Sequence, residues 1–353
     1  MKLKSLIILV IAVAIGVAAY YLSTSDNKLS TDANKRLVPD LAENLNSINK
    51  FIINEAGNAL LTSVSKTDQG WVVDNRDGYQ ANIALVRDTF NNLAEAKLIE
   101  AKTSNPENFV KLGVEDLAAE KAQGVLLTLE GLQSPVNVIF GKDGSSGKNT
   151  QFVRRKDEQQ SWLINKKIKL DRDVTDWLQK DLLDIPPEQI KVVQIKHPDG
   201  SEVTIKNDGL EEYEFTLDAD VPDGKKISES EVYQLANAMS SLQLRDVASF
   251  SKLNVESMTP VITTFKTFDG LTIVAKSYPL DLETYFTVEV AFSKQDVDED
   301  SSNPLIISNP EAAEKLAKVS TAKLNGWAYI FPTITQSALI KTLDSFFIEQ
   351  EGE

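Results

Sequence analysis

The sequence has no cysteine and a single histidine, His197. The first absence removes disulfides, thiolate metal sites, cysteine nucleophiles and the lipid-bearing cysteine of a lipoprotein together. The second leaves any histidine triad or metal site to one residue, in a His197-Pro198-Asp199-Gly200 turn between strand-like segments, where it is expected to face water. Basic charge is also short, with 37 Lys and Arg against 52 Asp and Glu and a net charge of −15. That balance makes nucleic acid and anionic headgroups poor partners for the bulk of the protein.

What the chain does have begins at its start. Residues 5–22 carry no charge and follow Lys2 and Lys4. At about 1.5 Å per residue, a helix of this length nearly crosses a hydrocarbon core of about 30 Å. The lysines favour the cytoplasmic side, which directs the remainder outward. A cleaved signal peptide has a similar layout, with a conceivable cut after Ala19. The apolar run continues through Tyr20, Tyr21 and Leu22, and the tyrosines suit a membrane interface, so an uncleaved anchor is the preferred reading. The expected location is the inner (cytoplasmic) membrane, single-pass, with the C-terminal domain in the periplasm.

The remainder is 42% hydrophobic and 25% charged over the whole chain, which suits a globular protein of two ordinary domains. Residues 23–40 read as a polar tether. A short helix with Leu37, Leu41 and Leu45 on one face is followed by strands at 48–53, 59–64 and 71–73, with a turn at 75–78. Ile83, Val86, Phe90 and Leu93 step by three, four and three, as on one face of a helix. After Phe109-Val110-Lys111-Leu112-Gly113-Val114-Glu115 come a hairpin of 125–130 and 136–140, strands at 152–155 and 161–164, and a helix capped by Asp171 or Asp173 that carries Val174, Trp177, Leu178 and Leu182.

After Ile185-Pro186-Pro187 the order begins again. Strands are expected at 190–195, 201–205 and 213–217, then a helix with Val232, Leu235, Met239 and Leu242. Phe250-Ser251-Lys252-Leu253-Asn254-Val255-Glu256 repeats the earlier heptapeptide, and strands at 261–267, 271–276, 284–292 and 327–331 precede a closing helix with Leu339, Leu343, Phe346 and Phe347. The fold class expected is therefore α+β: two tandem related domains, each an antiparallel meander with packed helices, after an N-terminal transmembrane helix. The divisions are 1–22 anchor (or uncleaved signal), 23–40 tether, 41–187 first repeat and 188–353 second repeat. In the heptapeptides, Phe109 and Leu112 are expected to plug the core, and Gly113 or Asn254 to take a left-handed turn.

Candidate chemistry is sparse. Gly141-Lys142-Asp143-Gly144-Ser145-Ser146-Gly147-Lys148 resembles a phosphate loop, but its spacing is wrong by one and Asn149 replaces the needed hydroxyl. Asp296, Asp298 and Asp300 alternate as in a calcium loop, but Ser301 replaces the turn glycine and Ile307 the bidentate glutamate. Trp71, Trp162, Trp177 and Trp327 sit at core-like positions. No pair of catalytic carboxylates stands out among the 52 acidic residues. No catalytic, cofactor-binding or metal-ligating residue is assigned, no cofactor is expected, and any small-molecule ligand is unknown.

Several elements resemble the bacterial family catalogued as domain of unknown function 4340. They are the N-terminal apolar segment, Lys111-Leu112-Gly113-Val114 after a helix, Ile139-Phe140-Gly141, Phe152-Val153, Trp162-Leu163-Ile164, Trp177-Leu178 and Asn325-Gly326-Trp327-Ala328-Tyr329. The second copy departs from the pattern at Asn254 and in the acidic insertion 294–303. The resemblance implies an envelope protein often associated with ABC-type transport systems, and it carries no catalytic residues. The function expected is a membrane-anchored extracytoplasmic accessory or scaffold protein without catalysis, docking to an inner-membrane ABC-type transport complex. The alternative is an extracytoplasmic carboxylate-dependent hydrolase or saccharide-binding protein.

Overall fold

A computed structural model describes residues 33–144, 149–207, 214–297 and 308–350. Two compact units, Met1–Leu178 and Gln179–Glu353, divide the chain. The division falls ahead of the double proline. Pro187 opens a single 3-10 turn, Pro187–Gln189, that leads into the next strand. The anchor expected at residues 5–22 lies outside the described residues. Among the described residues, no helix is long and apolar enough to cross a membrane.

In the first unit, α1 (Leu41–Asn44) is one turn, shorter than the helix expected to carry Leu37, Leu41 and Leu45 on one face. The strands β1 (Lys50–Glu55), β2 (Ala59–Thr67), β3 (Gly70–Val73) and β4 (Tyr79–Gln80) then form a meander. The long helix α2 (Ile83–Glu95) is capped by Asn82, whose side chain accepts from Leu85 N–H. Val86, Phe90 and Leu93 are buried, whereas Ile83, at its first position, is exposed. β5 (Leu98–Ala101) leads to α3 (Phe109–Leu112), followed by β6 (Val125–Glu130), β7 (Val136–Asp143), β8 (Gln151–Arg155) and β9 (Ser161–Ile164). The nine strands lie in the order β4-β3-β2-β1-β6-β7-β8-β9-β5. Phe51 on β1 packs against Trp71, Phe90 and Trp177, with ring centroids 6.1, 5.6 and 5.0 Å away.

The helix read across Trp177 and Leu182 does not form. Val174–Trp177 is a 3-10 turn, capped by Asp173 rather than Asp171. Leu182 belongs instead to β10 (Asp181–Leu183) of the second unit. In that unit β11 (Ile190–Lys196), β12 (Glu202–Asn207) and β13 (Phe215–Leu217) make a second meander, followed by β14 (Lys225–Ile227) and α4 (Glu229–Ala236). Tyr213, read as the start of the β13 strand, lies outside the described residues. Met239 and Leu242 fall beyond the end of α4, with Leu242 in β15 (Leu242–Gln243), which pairs with β10.

β16 (Asp246–Ser249) precedes three long strands, β17 (Val261–Thr267), β18 (Asp269–Leu280) and β19 (Glu283–Val297). The helix α5 (Pro310–Leu324), β20 (Trp327–Ile330) and α6 (Thr333–Leu339) follow. The closing helix expected through Phe347 is replaced by a 3-10 turn, Leu343–Phe346, and β21 (Phe347–Glu349), which pairs with β14. Eight strands lie in the order β13-β12-β11-β17-β18-β19-β20-β16. All pairings described in both units are antiparallel. The protein is therefore mixed, with antiparallel sheets and several helices.

The two large sheets follow one rule. In each, the first meander runs outward, a helix intervenes, one short strand takes the far edge (β5 or β16), and the next strand returns beside the first (β6 beside β1, β17 beside β11).

Candidate functional site

The repeated heptapeptide is the natural place to look for chemistry. In the first unit Gly113 ends α3 with φ 70°, the left-handed turn expected of it. Phe109 and Val114 join Leu117, Ala122, Leu126 and Ile139 in one apolar cluster, with Leu112 packed against it. The turn sits so close to the hairpin that a Cβ at Gly141 would lie 2.3 Å from the Leu112 carbonyl oxygen, and one at Gly124 would lie 2.4 Å from that of Gly113. The phosphate-loop-like stretch thus places Gly141 and Lys142 in β7, where Gly141 makes room for backbone, while residues 145–148 lie outside the described residues.

Arg154 on β8, buried beneath this turn, fixes it from the other side. Its Nε donates to the Val114 carbonyl, Nη1 to the carbonyls of Lys156 and Glu158, and Nη2 to Asp116. The guanidinium also lies 4.7 Å from the centroid of the Phe109 ring. It floors a recess of about 500 Å³ that Glu115, Asp116 and Glu158 also line. Glu115 accepts the Gln123 N–H through Oε1, while its buried Oε2 has no hydrogen-bond partner among the described residues. With four of its five donors spent on the protein, Arg154 has little left for an anion, and its role here is to hold the turn.

The second heptapeptide does not repeat this geometry. Phe250–Lys252 is a 3-10 turn, Leu253 is extended, and Asn254 does not take the left-handed conformation expected of it. No arginine stands on β19, the strand that occupies the β8 position in the second sheet.

His197 is half-buried rather than turned to water, with Nε2 3.0 Å from the Lys341 carbonyl oxygen. Lys341 in turn pairs with Glu231 of α4. Trp162 and Trp177 are core residues, whereas Trp71 and Trp327 are only half-buried. Asp296 is exposed at the end of β19, and Asp298, Glu299 and Asp300 lie outside the described residues. Among the described residues no cluster of three His, Cys, Asp or Glu is arranged to hold a metal ion.

Carboxylates that serve as general acids need a raised pKa. Four carboxyl groups here are displaced the other way. Burial pushes Asp74 up, but the hydroxyls of Ser63 and Ser65 and the Lys50 ammonium outweigh it and hold it below the usual range. Lys166 lowers Glu95, the backbone N–H and hydroxyl of Ser201 lower Asp199, and Lys318 lowers Glu314. Desolvation lowers the Lys323 ammonium, whose Nζ donates to the Asp181 carbonyl.

A larger concavity lies elsewhere, in the second unit. A groove of about 1190 Å³ runs between β13 and β14 against α4. Phe215 and Leu217 line one side, Ile227 the other, and Val232 and Tyr233 of α4 the floor. Tyr233 and Val221 are exposed large side chains at this groove. No single stretch of sequence signals it, because it is a gap between strands that are neighbours in the chain and unpaired in the sheet.

No curated protein and no solved structure matches the chain. The family described as a domain of unknown function (DUF4340) matches residues 71–260, just over half of the 353 residues. The matched stretch takes in the Arg154-braced turn, the double proline and the groove strands. The chain belongs to the DUF4340 family.

Proposed function

We propose that the protein is a membrane-anchored extracytoplasmic accessory or scaffold module that docks to a membrane complex and performs no catalysis itself. The observation that carries this reading is the open groove between β13 and β14, lined by two strand edges and by apolar side chains mixed with polar and charged ones. An exposed edge is a template for pairing with another chain, and proteins usually cover it. The uncharged run at residues 5–22 supports attachment to the inner membrane with the two units in the periplasm. An ABC-type transport system as the docked complex rests on the family resemblance alone.

The same reading includes a duplication. It is supported by the matching strand orders, in which β13-β12-β11-β17-β18-β19-β20-β16 follows β3-β2-β1-β6-β7-β8-β9-β5 position by position. It is also supported by the shared heptapeptide. The units then differ where one copy has acquired a task.

Crosslinking in native membranes followed by mass spectrometry tests the docking. Reproducible crosslinks from the second unit to one integral membrane complex are expected. A chain extracted gently as a monodisperse species, with no crosslinked partner, would overturn the reading. Full-length protein recovered from the cytosol without detergent would overturn the anchor.

A further inference from the structure

The two sheets differ at one edge. In the first unit β4 closes onto β3, pairing Val72 with Gln80 and Val73 with Tyr79, and the next residue, Ala81, bridges to Leu178. This delivers Tyr79 to the core at 2% exposure. In the second unit β14 holds the same place in the chain, between the third meander strand and the helix that follows it, here α4, and pairs with β21 where Ala81 bridges to Leu178. It does not pair with β13. The space that β4 fills in one unit is the groove in the other.

Both walls of that groove are strand edges. In an antiparallel ladder, residues that exchange bonds alternate with residues whose N–H and C=O face away. Asp218 N–H donates to the Thr204 carbonyl, so in the register of β12 with β13, Phe215 and Leu217 direct their N–H and C=O away from β12. Ser228 N–H donates to the Phe346 carbonyl, so Ile227 likewise turns its own groups away from β21. Among the described lining residues the charges balance, with Glu214 and Glu229 against Lys225 and Lys226. An acidic or a basic tail therefore gains nothing from them, and a neutral segment loses nothing.

We propose that this groove receives an extended, net-neutral segment of a partner protein, about three or four residues carrying an aromatic or aliphatic side chain, added as a strand between β13 and β14. The bound segment restores the continuous edge that β4 gives the first unit, and its apolar side chain enters the groove against Val232 of α4. This names the partner element for the accessory role and rests on that reading, including the equivalence of the two units.

The test uses the full-length chain in detergent and a capped peptide copying residues 76–82, which is net neutral and carries the Tyr79 that fills the corresponding gap. Amide hydrogen exchange is followed at 214–217 and 225–227. At peptide ten times its Kd, exchange in both stretches is expected to slow about tenfold. The same peptide N-methylated at its tyrosine amide cannot complete the ladder and is expected to give no slowing. Phe215→Pro removes an N–H that faces the groove while sparing the β12 ladder, and is expected to abolish the protection.

Unchanged exchange at millimolar peptide would overturn the proposal, as would equal protection by the N-methylated peptide. In membranes, a partner crosslinked as well by the Phe215→Pro chain as by the wild type would overturn the groove while leaving the accessory role intact. Absence of any partner from the wild type would remove the accessory role, whatever the peptide does.

Discussion

Arg154 shows how one side chain can hold a turn through several backbone carbonyls at once. Three of its bonds go to backbone carbonyls and one to Asp116, which is itself largely exposed. Arg154→Met keeps the bulk and strands those carbonyls, and is expected to cost about 2 to 4 kcal/mol. Asp116→Asn touches only the exposed end of the pair and is expected to cost under about 1 kcal/mol. Urea unfolding followed by circular dichroism separates the two, and equal losses would mean the ion pair carries the effect. Asp74 gives a pH signature. Its folded pKa lies below its unfolded value, so its contribution is present above the ordinary carboxylate range and is lost as pH falls through the folded pKa. The stability gap between wild type and Asp74→Asn should hold steady above about pH 5 and close as pH falls below about 4. A gap that widens in acid would reverse the assignment.

Elements were legible where periodicity is strong and illegible where packing decides. The hairpin of β6 and β7 reads from its alternation and closes as read, and α2 follows from Val86, Phe90 and Leu93. The edge strands β5 and β16 are four residues each and carry Glu100 and Asp246, so nothing marks them as strands until a neighbour pairs with them. The helix α5 was hidden because its buried stripe is Ala313, Ala317, Ser320 and Leu324, small residues that a search for large apolar side chains passes over. The helix read at 174–182 fails because its apolar residues are shared between a 3-10 turn and a short strand, and the one at 339–347 because Leu339 ends α6 while Leu343, Phe346 and Phe347 fall in a 3-10 turn and a short strand. Neither the Arg154 bracing nor the groove was visible in sequence, since the first is made to carbonyls of separate loops and the second is an unmade pairing. At this scale Tyr79 is the informative residue. Tyr79→Ala removes a buried ring from the β3–β4 closure, and by analogy with other buried aromatics should cost about 3 to 5 kcal/mol. Amide exchange should rise first in β3 and β4, and uniform loosening across the nine strands would argue that the closure is not a separate element.

At the scale of the whole molecule, among the described residues each large sheet is built from strands of its own unit, and each unit has its own buried residues. Cooperative unfolding follows packing, so a lesion in one core should be felt mainly within that unit. Gly141→Ala is a sharp lesion, because its Cβ would meet backbone rather than a side chain that can swing away. Overpacking of this kind costs about 1 to 3 kcal/mol. Trp71, Trp162 and Trp177 lie in the first unit and Trp327 in the second, so in a Trp327→Phe background tryptophan fluorescence reports the first unit alone. In that background Gly141→Ala should lower the fluorescence midpoint in urea, while the exchange-derived opening free energy of β17, β18 and β19 stays where it was. Loss of the same free energy in both places would mean that the two units unfold as one.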